Sequence, residues 1–132
     1  MSRSVAAFLE RQAALFLSGD LETYARSFAF PAPGFLPGAP LVMRRPEDLI
    51  TPLARLRETA LAAGLLHVEA RVSAVELPRN GRLRVWWRPV FHYPGGADFG
   101  LRDTVYYLSR DRFGGLRIEL AECGLGLTED AA

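Results

Sequence analysis

Residues 66–93 read LHVEARVSAVELPRNGRLRVWWRPVFHY, and this stretch decides the fold. Apolar side chains recur at every second position, the beat of an extended chain whose successive side chains point to opposite faces. Val68, Ala70, Val72 and Ala74 alternate with His67, Glu69, Arg71 and Ser73. After the turn, Leu83, Val85, Trp87, Pro89, Phe91 and Tyr93 alternate with Arg82, Arg84, Trp86, Arg88, Val90 and His92. Asn80-Gly81 between the two runs is a two-residue hairpin signal, because both residues tolerate positive φ. Pro89 is the one irregular element. Proline inside a strand signals a bulge, which would exchange the faces of Val90 to Tyr93.

Downstream, the same beat continues over 99–110 and 116–123, separated by Gly95-Gly96 and Gly114-Gly115. Taken in the same phase, Phe99, Leu101, Asp103, Val105, Tyr107, Leu116, Ile118, Leu120 and Glu122 join the apolar face. Arg102, Thr104, Tyr106, Leu108, Arg117 and Glu119 fall on the other.

Upstream the period lengthens to that of helices. Ser4 caps a run with Val5, Phe8, Leu9, Gln12, Leu15 and Phe16 on one face, and Gly19 stops it. Asp20 caps a second, shorter helix carrying Leu21, Tyr24 and Phe28, ended by Pro31. Residues 31–40 hold four prolines and two glycines and read as an apolar loop, a lid or rim. Leu41 to Met43 suits a short strand. Pro46, Glu47 and Asp48 then open a helix reaching Gly64, with Pro52 expected to break it into a restart capped by Thr51. Helices first and a meander of strands last is an α+β plan, the helices lying on one face of a curved, mainly antiparallel sheet.

Composition bounds the rest. The chain has 132 residues, 49% hydrophobic and 23% charged, which fits one domain over 1–132 with a core large enough to need no staple. The single Cys123 cannot make an internal bridge and suits a reducing compartment. No run is long and apolar enough for a membrane span, and no cleavable leader is legible, so the expected location is cytoplasmic. A net charge of +1 argues against nucleic acid and anionic membranes as partners. Two distant histidines and one cysteine give no metal spacing, and no phosphate-cradling glycine loop is present. No cofactor is expected.

The order of elements, with FLSGDLETYARSFAFP at 16–31, RRPEDLITPLARLRETALAAG at 44–64 and DTVYYLSRDRFGGLRI at 103–118, resembles the NTF2-like (SnoaL-like, cystatin-like) superfamily. The resemblance implies a cone whose N-terminal helices pack on the concave side of the sheet around a pocket, commonly in a homodimer formed through the outer sheet face. Its activities range from isomerases and dehydratases to transport factors and domains without known chemistry, so fold leaves function open. In the ketosteroid isomerases of that superfamily a tyrosine stands seven residues before the Gly of the Gly-Asp step, where this chain has Gln12. The base belongs between Glu22 and Glu47, where this chain has no acid, and the protonated acid belongs near Asp103 or Thr104.

Asp103, on the apolar face, is therefore the candidate acid or base of an alternative isomerase or lyase reading. The leading reading is a domain that binds a small, largely apolar molecule with Tyr24, Phe28, Phe35, Trp87, Phe91, Tyr107 and Glu122, and no assigned reaction. Arg84, Trp86, Arg88 and Tyr106 form an amphipathic outer patch suited to a second copy. A pure dimerisation or protein-interaction module with a filled core is the third reading.

Overall fold

The computed structural model describes residues 4–36, 39–98 and 103–122. Helix α1 spans Val5–Ser18 and starts where the Ser4 hydroxyl accepts the Ala7 N–H at 3.0 Å. It ends at Gly19, in the left-handed region at φ 89°, whose N–H returns to Leu15 and Phe16 carbonyls. From a later helix Arg57 donates to the Phe16 and Leu17 carbonyls, so the negative end of α1 meets a guanidinium. The short α2 spans Leu21–Ala25 behind the Asp20 cap.

Residues 31–40 are not a loop. Ala32–Leu36 form β1 and Ala39–Met43 form β2, an antiparallel hairpin pairing Ala32 with Met43 and Leu36 with Ala39. Among the described residues, prolines are tolerated because β2 is an edge strand and β1 meets its other neighbour only at Gly34 and Phe35. Helix α3 then spans Pro46–Ala62 without interruption, and Pro52 stands inside it instead of restarting it. One missing N–H is tolerated because the first turn is held separately: the Asp48 carboxylate accepts from Arg44 and Arg45 N–H at 2.8 and 3.1 Å.

Five further strands follow, β3 His67–Val75, β4 Arg82–Tyr93, β5 Gly96–Asp98, β6 Thr104–Arg110 and β7 Leu116–Glu122. They join the hairpin in one seven-stranded sheet of order β2-β1-β7-β6-β4-β3, with β5 paired to β4. All described pairings are antiparallel except β1 with β7. The helices cover one face. Val5, Phe8, Leu9 and Phe16 of α1, with Leu21 and Tyr24 of α2, pack in one core with Leu83, Val85, Trp87 and Phe91 of β4 and Ile118 of β7.

Register corrects the phase read for β6. Val85 lies opposite Tyr106 and Leu83 opposite Leu108, so Thr104, Tyr106 and Leu108 face the core. Val105 lies opposite Trp86, and Tyr107 opposite Arg84, on the outer face. Val105 is thus on the other side of the sheet from Trp87 and Ile118. The cause is that both phases of TVYYLS are apolar, and a slip of one residue exchanges every side chain.

A bulge at Glu119, where pairing steps from Ile118 to Leu120, similarly carries Leu120 and Glu122 outward and Ala121 inward. The expected bulge at Pro89 is absent; Pro89 pairs with Ala70 in unbroken register, and the irregularity sits at Ser73 of β3. Among the described residues, Pro89 falls between the end of β6 pairing at Trp87 and the start of β5 pairing at Phe91.

Candidate functional site

Inside the cone, aromatic side chains from three elements meet. Tyr24 of α2 stacks on Phe28 with ring centroids 6.1 Å apart, Phe28 stands edge-on to Tyr106 at 6.0 Å, and Tyr106 tilts against Trp87 at 5.1 Å. Phe28 is brought there by a parallel bridge to Ile118, with Ile118 N–H donating to Ser27 O at 2.7 Å.

The polar tips of this cluster are few. The Tyr24 and Tyr106 hydroxyls lie 3.5 Å apart. Thr104 is buried and sits opposite Trp87 in register. Gln12, 1% exposed, donates through Nε2 to the Tyr24 carbonyl at 3.3 Å and accepts the Ser27 hydroxyl at 2.9 Å. Gln12 is thereby a structural tie between α1 and the chain after α2. Trp87 is 7% exposed, and its indole Nε1–H has no acceptor among the described residues.

Of the residues expected to line one pocket, Tyr24, Phe28 and Trp87 are brought together. Phe91 shares their face but lies further along β4, packed on Phe16 with centroids 5.6 Å apart. It borders a separate cleft of about 490 Å³ between α3 and the β4–β5 turn, with Leu56, Thr59, Ala60, Tyr93 and Gly96. Tyr107 and Glu122 are on the outer face, where the Tyr107 hydroxyl donates to Glu122 at 2.9 Å. That bond to the carboxylate, with burial second, holds the Tyr107 phenol above its usual range. The side chain of Phe35 and residues Phe99, Leu101, Arg102 and Cys123 lie outside the described residues.

Asp103 is not in the pocket. Its side chain is 69% exposed and pairs with Arg88 at 3.5 Å. Standing just before β6, it belongs to the phase that faces outward. Gln12 and Thr104 are the buried polar side chains other than the aromatic ones among the described residues, so the described interior holds no carboxyl to act as acid or base.

The outer patch keeps Arg84, Trp86 and Arg88, while Tyr106 moves to the core and Tyr107 takes its place. The Arg84 guanidinium lies over the Trp86 and Tyr107 rings at 5.1 and 6.0 Å. Both histidines face outward, as their positions in the alternation indicate: His67 and His92 rings are 5.7 Å apart, and His92 Nε2 lies 2.9 Å from Glu69. Among the described residues no three His, Cys, Asp or Glu side chains gather to hold a metal.

Glu69 is held at a pKa of about 2, from 4.5, first by its hydrogen bonds from Arg71 and then by His92. Its pKa in the folded chain is the lower one, so its stabilising contribution is complete above about pH 4.5 and disappears as pH falls toward 2. Solvent keeps that contribution small. Urea unfolding across this interval is expected to show a shallower acid decline for Glu69→Gln than for the parent chain.

No protein-family model matches this sequence, and no curated protein matches it. Solved structures do. An NTF2-like protein of unknown function from Shewanella oneidensis MR-1 superposes with TM-score 0.70 at 11% identity, over 90% of this chain and 94% of that one. An NTF2-like protein with a cystatin-like fold from Novosphingobium aromaticivorans gives 0.68 at 13% identity, over 92% and 79%. A protein from Catenulispora acidiphila gives 0.64 at 16% identity, over 98% and 100%. The chain has the NTF2-like, cystatin-like fold. At these identities the likeness concerns architecture, and the chemistry of this NTF2-like chain is argued from its own side chains.

Thr104, Tyr106 and Leu108 are members of the interior that sequence reading misplaced. The available signal was the cross-strand pairing of Tyr106 with Val85 and Leu108 with Leu83, which alternation within one strand does not contain. No helix of the described chain is long and apolar enough to cross a membrane.

Proposed function

We propose that this domain binds a small, largely apolar molecule carrying one hydrogen-bond acceptor, held in the aromatic interior at Trp87. The observation that carries this reading is the indole Nε1–H, buried with no acceptor among the described residues, in a cluster whose other polar tips include the Tyr24 and Tyr106 hydroxyls and Thr104. A buried donor without a partner costs about 1–3 kcal/mol, which a ligand carbonyl or ether oxygen would recover. The Tyr106 ring against Trp87, with Phe28 and Tyr24 beyond it, supplies the apolar contact. The fold is compatible with such a use, since the Catenulispora acidiphila protein was solved in complex with S-DNPA.

The test uses the indole resonances of Trp86 and Trp87, assigned with Trp86→Phe in ¹⁵N-labelled protein. Cyclohexanone, which has an acceptor, is expected to move the Trp87 Nε1–H signal downfield and saturably, with Trp86 unmoved. Methylcyclohexane, of similar shape but without an acceptor, is expected to bind more weakly and leave the signal in place. Equal responses to the two probes, or none up to their solubility, would overturn the reading.

A second reading concerns the outer face, where Trp86, Tyr107 and Leu120 stand half-buried among Arg84 and Arg88. We infer that two copies pair through this face as a homodimer. Sedimentation is expected to show a dimer for the parent chain and a monomer for Trp86→Glu; the same mass for both would reject this pairing.

A further inference from the structure

A second cleft, of about 460 Å³, lies at the other end of the molecule, between the α1–α2 corner and the β6–β7 hairpin. Four arginines converge on it from four places in the chain: Arg11 on α1, Arg26 just after α2, Arg110 at the end of β6 and Arg117 on β7. We propose that this cleft binds a small phosphate-bearing anion.

Two carboxylates line the cleft, each held through one oxygen: Asp111 Oδ1 accepts the Phe113 and Gly115 backbone N–H groups at 2.8 and 2.9 Å, and Glu119 Oε2 accepts the Ser109 hydroxyl at 2.6 Å. Asp20, whose field reaches Arg26 and Arg11, spends its oxygens on the Thr23 N–H and hydroxyl. No ion pair joins Arg11, Arg26 or Arg117 to a carboxylate among the described residues. Arg110 donates to the Gly114 carbonyl at 3.2 Å, which fixes its guanidinium on the hairpin side.

The hydroxyls of the cleft are also spent, Thr23 on Asp20, Ser27 on Gln12 and Ser109 on Glu119. The donors the cleft can offer a ligand are therefore the guanidinium N–H groups of Arg11, Arg26 and Arg117, in a concavity whose four arginines outnumber its two lining carboxylates. Like charges brought together in a recess repel one another unless an anion sits between them, and forked donors match the oxygens of phosphate. Forked donors from several arginines favour a phosphate group, with three or more oxygens, over a monocarboxylate with two. A chain of net charge +1 lacks the field that holds a nucleic-acid strand, which leaves a small anion as the ligand.

Pyrophosphate is the probe, titrated calorimetrically into the intact protein at constant ionic strength. Saturable one-site binding is expected. Arg26→Gln and Arg117→Gln should each weaken it roughly tenfold, the loss of one charge-assisted contact. Arg55→Gln, an exposed change on α3 away from the cleft, should leave it unchanged. Both cleft positions are exposed, so unaltered melting curves will show that the variants fold. Binding that survives the Arg26→Gln/Arg117→Gln double variant, or falls equally in Arg55→Gln, would overturn the proposal. So would the absence of binding, or competition in which a short single-stranded oligonucleotide displaces pyrophosphate at lower concentration than inorganic phosphate does.

Discussion

Tyr106→Ala is expected to destabilise the protein by about 3–5 kcal/mol, whereas Tyr107→Ala, one residue along, should cost about 1 kcal/mol or less. Tyr106 is 4% exposed and touches Phe28 and Trp87, so its removal leaves a cavity between helix and sheet. Tyr107 is half-buried on the opposite face, where, with both variants compared in the Trp86→Glu background expected to be monomeric, it loses a bond to Glu122 and a contact with Arg84 that water can replace. At this chain length the first change lowers the melting temperature by on the order of 10–20 °C and the second by a few degrees. Comparable losses at the two positions would place β6 in the other phase and remove the aromatic cluster from the interior.

Gln12→Glu should be the most damaging change that preserves side-chain size. The amide both donates to the Tyr24 carbonyl and accepts from Ser27, and a carboxylate would face that carbonyl with no proton. Burial raises the acid's pKa by up to several units in the folded chain relative to the unfolded one. Because the folded pKa is the higher, the variant is least affected below the unfolded value. Its deficit then grows as pH rises, levelling off above the folded pKa at about 3 kcal/mol or more near neutrality. In the protonated form the added O–H can donate to Tyr24, restoring the tie. Urea titrations of both chains at acidic and neutral pH check this; a deficit independent of pH would mean that Gln12 is held for its shape alone.

Much of the architecture was legible because it depends on neighbours in sequence. The Ser4 cap, the Gly19 stop, the Asp20 cap and the Asn80-Gly81 turn are local geometry, and each stands where its residue type indicates. Within β4 the alternation separates Trp87 from Trp86 without ambiguity, since arginines fill the other phase. Where both phases are apolar, as in β6, the face is chosen by long-range pairing with β4, and the residues of one strand do not contain that choice. The same holds for Glu119, an ordinary residue whose bulge is set by how β7 must pass β6 and β1.

Proline misled reading three times, in the β1–β2 hairpin, at Pro52 and at Pro89, for a related reason. Its penalty is a missing donor, and that penalty vanishes where no acceptor was waiting or where another contact holds the turn. For the site, Tyr24, Phe28 and Trp87 followed from their periodicity, while Asp103 did not: one step of phase separates a buried acid from a solvated ion pair with Arg88.

The irregularity at Ser73 has a consequence beyond curvature. It sits on β3, one margin of the sheet, where the Ser73 hydroxyl turns back to the Trp86 carbonyl at 3.1 Å and Glu69 and Arg71 stand close by. A foreign chain seeking to add itself there would find the row of amides and carbonyls out of step and flanked by charge; at the far margin β2 offers Pro40, which has no amide hydrogen. Fibril growth by strand addition is thus obstructed at both ends of the molecule's largest surface.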